Sequence, residues 1–344
     1  MNIVKTENLK TDVLVKFSYP GKWDREYGMK MFLKQTPGEK GIWGNVKFEI
    51  NNHKIRECDY WFVYENIDGY LFEKGICPRK NCYLITGEEA SMWDYPQNYL
   101  NQFPGVITSR QDIEHAHSKF LHYISPWHVR KNYDELLSAE PEKTKKLSAI
   151  ISNAAHLPIH KKRYALINKL KGHFKSKLDW YGKGEVELFD KWEGLAPYCF
   201  SIAIENSAYQ HYFTEKIIDC FLASTIPFYW GCKNIEEYFP PESFIPIDIF
   251  DFEKSINIIE ESLNNPEEFK KRYNFLKEAK NLCLNKYQLF PALSSFILSE
   301  NAESEQREKI IIEDKEHYLK KKFTFKQRMF FHKEKIKAFL HGYN

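Results

Sequence analysis

The chain has 344 residues, 43% of them apolar, which is enough to bury the cores of two ordinary domains and too much for one small binding module. Fifty Lys and Arg against 47 Asp and Glu leave a formal net charge of +3, which implies no polyanionic partner. Seven cysteines, an odd number, are scattered from Cys58 to Cys283, which fits reduced thiols better than a disulfide framework. The close pair Cys77 and Cys82 lacks the spacing and the second ligand pair of a zinc site. No apolar run approaches the roughly 18 residues that span a bilayer, and the N-terminus has no signal-peptide pattern. The expectation is a cytoplasmic protein, or one held peripherally at a membrane.

In chain order, segments 12–19 (DVLVKFSY), 44–50 (GNVKFEI), 58–67 (CDYWFVYENI), 81–89 (NCYLITGEE) and 105–110 (GVITSR) read as strands. Some are continuously apolar, as in a parallel sheet covered on both faces. Over 136–146 the composition turns polar and charged, and Pro141 is able to stop a helix, which places a domain boundary there. A new strand follows at 147–153, then a helix over 160–174 in which Tyr164, Ile167 and Leu170 repeat at helical spacing. The segments 199–206 (CFSIAIEN) and 225–231 (TIPFYWG) read as strands flanking a crossover helix at 214–224, with Thr214 as its N-cap. Past residue 252 the apolar residues recur three and four apart, a helical pattern. The expected organisation is α/β: two domains in series, 1–140 and 141–300, with a cleft between them, and a helical tail over 301–344.

The stretch Thr214-Glu215-Lys216 opens the crossover helix at the carboxyl end of a strand, where free N–H groups and the positive end of the helix dipole favour a phosphate. The preceding loop, SAYQHYF, has no glycine, so neither a dinucleotide fingerprint nor a P-loop is present. A diphosphate there depends on cationic side chains such as Lys216. A carboxylate beside it repels phosphate, so Glu215 suits sugar or ribose hydroxyls instead. Taken alone, the same three residues are also an ordinary helix start.

The stretch 200–248 resembles the signature of the alpha-1,3-fucosyltransferase family, with its Glu-Asn-Ser, its Tyr-x-Thr-Glu-Lys and its Pro-x-x-x-Gly at this spacing; Phe213 stands where the family usually has valine. SNAAHLPIHKKRYALINKL and LITGEEASMWDYPQNYLNQFPGVITSR are similar to two further family segments. The resemblance implies a GT-B architecture, two Rossmann-like domains facing a central cleft, with the acceptor on the N-terminal domain and GDP-fucose on the C-terminal one. It also implies that Arg163 and Lys216 hold the diphosphate, that Asn206 and Tyr212 seat the nucleotide, that Glu215 contacts hydroxyls of the sugar nucleotide, and that Glu88 is the catalytic base. An inverting transfer needs this division, because a carboxylate takes the acceptor's proton while cations absorb charge on the leaving diphosphate. Glu88 and Glu89 point to opposite sides if the strand continues, so only one serves. There is no Asp-x-Asp, and no metal or other cofactor is expected. His115, His117, His122 and His128 lack a companion acid or cysteine pattern and read as acceptor-side or surface residues.

From Lys315 onward nine Lys and Arg face two Glu, and Phe325, Met329, Ile336 and Leu340 fall near one helical face. Residues 315–340 are expected either to contact an anionic membrane surface or to pack on the domains. The expected partners are GDP-fucose and an oligosaccharide acceptor; nucleic acid is not expected, because nothing else in the chain forms a basic groove with stacking aromatics.

Overall fold

A computed structural model of the protein describes residues 12–20, 25–68, 71–87, 94–152, 158–300 and 306–319. The chain divides into two compact units, one of Met1–Leu121 with Leu293–Asn344, the other of His122–Ala292. The first contains β1 (Val13–Ser18), α1 (Arg25–Leu33), β2 (Ile42–Trp43), β3 (Val46–Ile50), β4 (Tyr60–Tyr64), β5 (Phe72–Pro78), β6 (Cys82–Ile85), α2 (Gln97–Leu100), β7 (Gly105–Thr108) and β8 (Ser118–Phe120). Seven of the strands form a sheet in the order β2-β3-β1-β4-β6-β7-β8, parallel except for the β2–β3 pair. Every residue of β4, β6 and β7 is buried, which is why these strands read as unbroken apolar runs.

A charged residue is nevertheless buried in this sheet. Lys16, in the middle of β1, is 1% exposed. Its ammonium lies 2.7 Å from Glu73 Oε1 of β5 and over the Trp61 ring at 5.3 Å. His53 joins the group from the loop after β3, with Nε2 2.9 Å from Asp68 Oδ2 and Nδ1 3.7 Å from Glu73 Oε1. A buried charge is tolerable when it is paired in this way.

The second unit contains α3 (Tyr133–Ser138), β9 (Lys145–Ile150), α4 (Pro158–Phe174), β10 (Leu178–Tyr181), β11 (Tyr198–Ile204), α5 (Glu215–Leu222), β12 (Ile226–Trp230), β13 (Ile245–Pro246), α6 (Phe252–Asn264) and α7 (Glu268–Leu282). Its sheet runs β10-β9-β11-β12-β13 and is parallel throughout. The boundary expected near residue 140 falls inside this unit. Trp127, Val129 and Leu136 are buried in its core, and a capping box between Asn132 and Glu135 starts α3 ahead of the polar stretch.

The chain continues through α8 (Leu289–Ser299), and from Leu293 onward it belongs to the first unit again. There β14 (Arg307–Glu313) pairs antiparallel with β5, Arg307 opposite Pro78 through to Glu313 opposite Phe72. The helical tail expected from residue 301 is therefore a strand over this span. Three consecutive isoleucines favour extended backbone, and Ile310 and Ile312 on alternate positions are buried. Asn66 and Gln102 fasten the strand's end: Lys315 N donates to Asn66 Oδ1 (2.9 Å), and Glu313 N to Gln102 Oε1 (2.8 Å). Lys315 itself is buried above the Tyr95 ring, so it does not belong to a solvated basic face. The rest of the basic segment, residues 320–344, lies outside the described residues. Among the described residues no helix is long and apolar enough to cross a membrane.

Candidate active site

The site in the second unit grows from the carboxyl end of β11. Glu205, the first residue past the strand, is fully buried. Its carboxylate accepts the Thr214 N–H at 2.8 Å and the Thr214 hydroxyl at 2.6 Å, which ties the start of α5 to the end of β11. Burial pushes the Glu205 carboxyl up, and Lys216 and the Thr214 bonds oppose that shift. Residue 231 must be glycine for this arrangement, since a Cβ there would lie 2.3 Å from Glu205 Cγ.

Thr214 is the N-cap of α5, its hydroxyl accepting the Lys216 N–H. Ile217, Ile218, Phe221 and Leu222 anchor the helix in the core, each contributing about 1.5–3 kcal/mol through burial. The first turn is thereby fixed at the sheet's carboxyl end, where doubly wound folds bind ligands. The Lys216 ammonium rests on three oxygens, 3.1 Å from Thr214 Oγ1, 3.2 Å from Glu215 Oε1 and 3.5 Å from Glu205 Oε2. Glu215 is also approached by Lys191 Nζ (3.6 Å) and His128 Nδ1 (3.9 Å). Burial alone would raise the Glu215 carboxyl, but Lys216, Lys191 and His128 outweigh it and hold the group well below the usual carboxylate range. Glu215 is therefore ionised at neutral pH, an acceptor and not a proton donor.

Arg163 comes from α4. Its neighbours Lys161 and Lys162 are exposed, whereas Arg163 is 8% exposed and donates from Nη1 to Asn206 Oδ1. Its Nε has no hydrogen-bond partner among the described residues. Burial lowers the affinity of this guanidinium for its proton, while Glu205, Glu215 and Tyr212 raise it. A buried, unpaired N–H beside an anchored guanidinium is a donor left over for something that the folded chain does not supply.

Tyr212 is buried, with its ring 5.0 Å from that of Tyr123. The glycine-free loop is held instead by side chains: Asn234 Oδ1 accepts the His211 N–H at 2.7 Å, and His211 Nδ1 lies 2.6 Å from the Tyr238 hydroxyl. Phe213 is fully buried, stacked on His122 and against Tyr238 and Phe239, so the larger side chain at this position fills an aromatic core. His122 corrects the expectation for the histidine group. It is neither acceptor-side nor surface, because its Nε2 pairs with the Tyr287 carbonyl at 2.8 Å and burial pushes its pKa down to about 4.

Of the expected residues, Arg163, Asn206, Tyr212, Glu215 and Lys216 fall in the second unit, and Arg163 is joined to Asn206 and Lys216 to Glu215. Glu88 lies outside the described residues. Just before it, the Gly87 N–H donates to the Tyr95 hydroxyl at 3.1 Å. Sequence reasoning missed Glu205, Lys191 and Asp219. Asp219 left a signal, since it is the one charged residue inside the apolar run Ile217–Leu222 and is 1% exposed.

A model of glycosyltransferase family 10 (fucosyltransferase), C-terminal part, matches residues 140–313. The chain belongs to this family. It is 31% identical to an alpha-(1,3)-fucosyltransferase of Helicobacter pylori over 118 residues, 33% of this chain and 23% of that protein. It is 29% identical to an alpha-(1,3)-fucosyltransferase of Caenorhabditis elegans over 205 residues, 54% of this chain and 51% of that one. These matches span about half or less of the relatives' own lengths. An alpha1,3-fucosyltransferase crystallised with GDP shares the fold, with a TM-score of 0.51 at 18% identity over 87% of this chain and 94% of that one. The fold of this family-10 chain is accordingly α/β of the GT-B kind, with two units built on parallel sheets.

Proposed function

We propose that the chain is an inverting fucosyltransferase that moves L-fucose from GDP-fucose to a hydroxyl of a sugar acceptor, in alpha-1,3 linkage to a GlcNAc-type residue of a surface glycan. Family membership and the names of the relatives support the activity. The observation that carries the donor assignment is Arg163, a buried guanidinium with an unpaired Nε beside Asn206 and close in charge to the Lys216 cluster. In this reading the acceptor oxygen attacks the anomeric carbon, the bond from that carbon to the diphosphate breaks, and Arg163 and Lys216 stabilise the charge left on GDP. Asn206 and Tyr212 seat the nucleotide, and ionised Glu215 accepts from hydroxyls of the sugar nucleotide. Glu88 receives the acceptor's proton as general base. No step needs a metal.

Purified Glu88→Gln is expected to bind GDP-fucose as the parent does while transfer falls by about 10²–10⁴-fold, measured by product formation. Unimpaired transfer by this variant would sink the assignment of Glu88. A panel of GDP-sugars in the same assay tests the donor, and turnover of another GDP-deoxysugar in preference to GDP-fucose would replace fucose in this reading.

A further inference from the structure

Beside the first turn of α5 lies a second layer of charge that the proposed chemistry has not used. Lys191 opens a short helical turn, Lys191–Gly194, capped by Asp190. Asp190 Oδ1 accepts the Trp192 N–H at 2.9 Å and the Arg130 N–H at 3.0 Å. Arg130 in turn donates from Nε to the Phe189 carbonyl at 2.9 Å, its guanidinium 3.6 Å from the Phe189 ring centre. The start of the turn that carries Lys191 is thus tied to Arg130.

The Lys191 ammonium lies 3.3 Å from Asp219 Oδ2 and 3.6 Å from Glu215 Oε1. These two acids are four residues apart on α5 and so share a face, with the ammonium bridging them. The oxygens of Asp219 divide the work. Oδ2 takes Lys191, while Oδ1 accepts the backbone N–H groups of His128 (2.9 Å) and Val129 (3.3 Å), which also brings the His128 ring beside Glu215. Asp219 is 1% exposed, whereas the Glu215 side chain keeps 15% of its surface open. The buried acid is the anchor, and the open one is free to meet a ligand.

We propose that Lys191, fixed by Asp219, is a positioning residue that holds the Glu215 carboxylate toward the donor's hydroxyls. The inference rests on the functional reading above. It has a further consequence for Lys216: with Lys191 present, Glu215 has a second cation and does not depend on Lys216 alone, which leaves the Lys216 ammonium available to a phosphate.

Removing Lys191 alone would leave Asp219 buried without its counter-charge, so the test pairs Lys191→Met with Asp219→Asn in the full chain. The variant is compared with the parent by calorimetry with GDP-fucose, by the KM and kcat for transfer, and by thermal unfolding. The expected result is a GDP-fucose Kd and KM raised about tenfold with kcat changed less, and no further loss when Glu215→Gln is added. Lys191→Arg, which keeps the bridge, is expected to retain parental affinity. Parental affinity in the paired variant overturns the proposal, as does a loss that simply adds to that of Glu215→Gln. If every variant of Lys191 unfolds, Asp219→Asn alone carries the same comparison, since it keeps an oxygen for the His128 N–H. A parent that binds GDP-fucose without transferring it refutes the reading of the reaction and leaves this inference standing on the calorimetry.

Discussion

Lys16 in the first unit and Lys216 in the second each sit among carboxylates, but they are buried to different degrees. The side chains of Lys16 and Glu73 are 2% and 5% exposed, and His53 and Asp68 complete a group whose charges answer one another. Those of Lys216, Glu215 and Lys191 are 19%, 15% and 27% exposed, and nearby Arg163 has an N–H without a partner among the described residues. Closed pairs of the first kind are demanded by the fold once a lysine stands in a central strand. Open ones of the second kind are surplus to the fold, and surplus charge held at the carboxyl end of a parallel sheet is what a diphosphate requires.

The largest expected effect comes from breaking the closed pair. Glu73→Ala leaves Lys16 uncompensated and is expected to lower stability by about 3–5 kcal/mol in chemical denaturation. The folded fraction should still bind GDP. Lys216→Met is expected to weaken GDP about tenfold to a hundredfold by calorimetry with a smaller loss of stability, because Thr214 still hydrogen-bonds the buried Glu205 carboxylate once the ammonium is gone. Equal stability losses in the two variants would erase the distinction.

A third experiment uses pH. Burial would lower the His53 pKa, but the bonds to Asp68 and Glu73 raise it to about 9. The folded-state value exceeds the unfolded one, so this stabilisation is complete below about pH 6.5 and is lost as pH rises through about 9. Denaturation curves should show a loss of about 1–3 kcal/mol across that window, absent in His53→Gln. The smallest effect expected is none at all: if side chains neutralise the diphosphate, EDTA leaves transfer from GDP-fucose unchanged, and loss of activity restored by a divalent cation would show otherwise.

Much of the architecture was legible because central parallel strands are apolar on both faces. Segments read from composition at 12–19, 58–67, 81–89, 105–110 and 225–231 contain β1, β4, β6, β7 and β12, and the one at 199–206 covers all of β11 but Tyr198. β5 escaped because its inward face carries Glu73, Gly75 and Cys77, which leave no apolar alternation. β14 escaped because its isoleucines follow charged residues and sit next to a basic segment that reads as helix. The domain boundary was drawn where polarity rises, yet Leu136, the first residue of that stretch, is already core. At the site, motifs pointed to Arg163 and Lys216; no local pattern marks Lys191, and Glu205 lies inside the Glu-Asn-Ser motif without a role attached to it. Each derives its role from partners distant in the chain, Asp219 for one and Thr214 with Gly231 for the other.

The pairing of β14 with β5 also bears on synthesis. The second unit is one continuous stretch, His122–Ala292, and all of it has been translated before β14 exists. The first unit begins earlier but lacks the strand that pairs with β5, with its buried Ile310 and Ile312, until residues 307–313 have been made. Folding on the ribosome therefore finishes in the reverse of the order in which the units start, and a nascent first unit must wait with an uncovered edge.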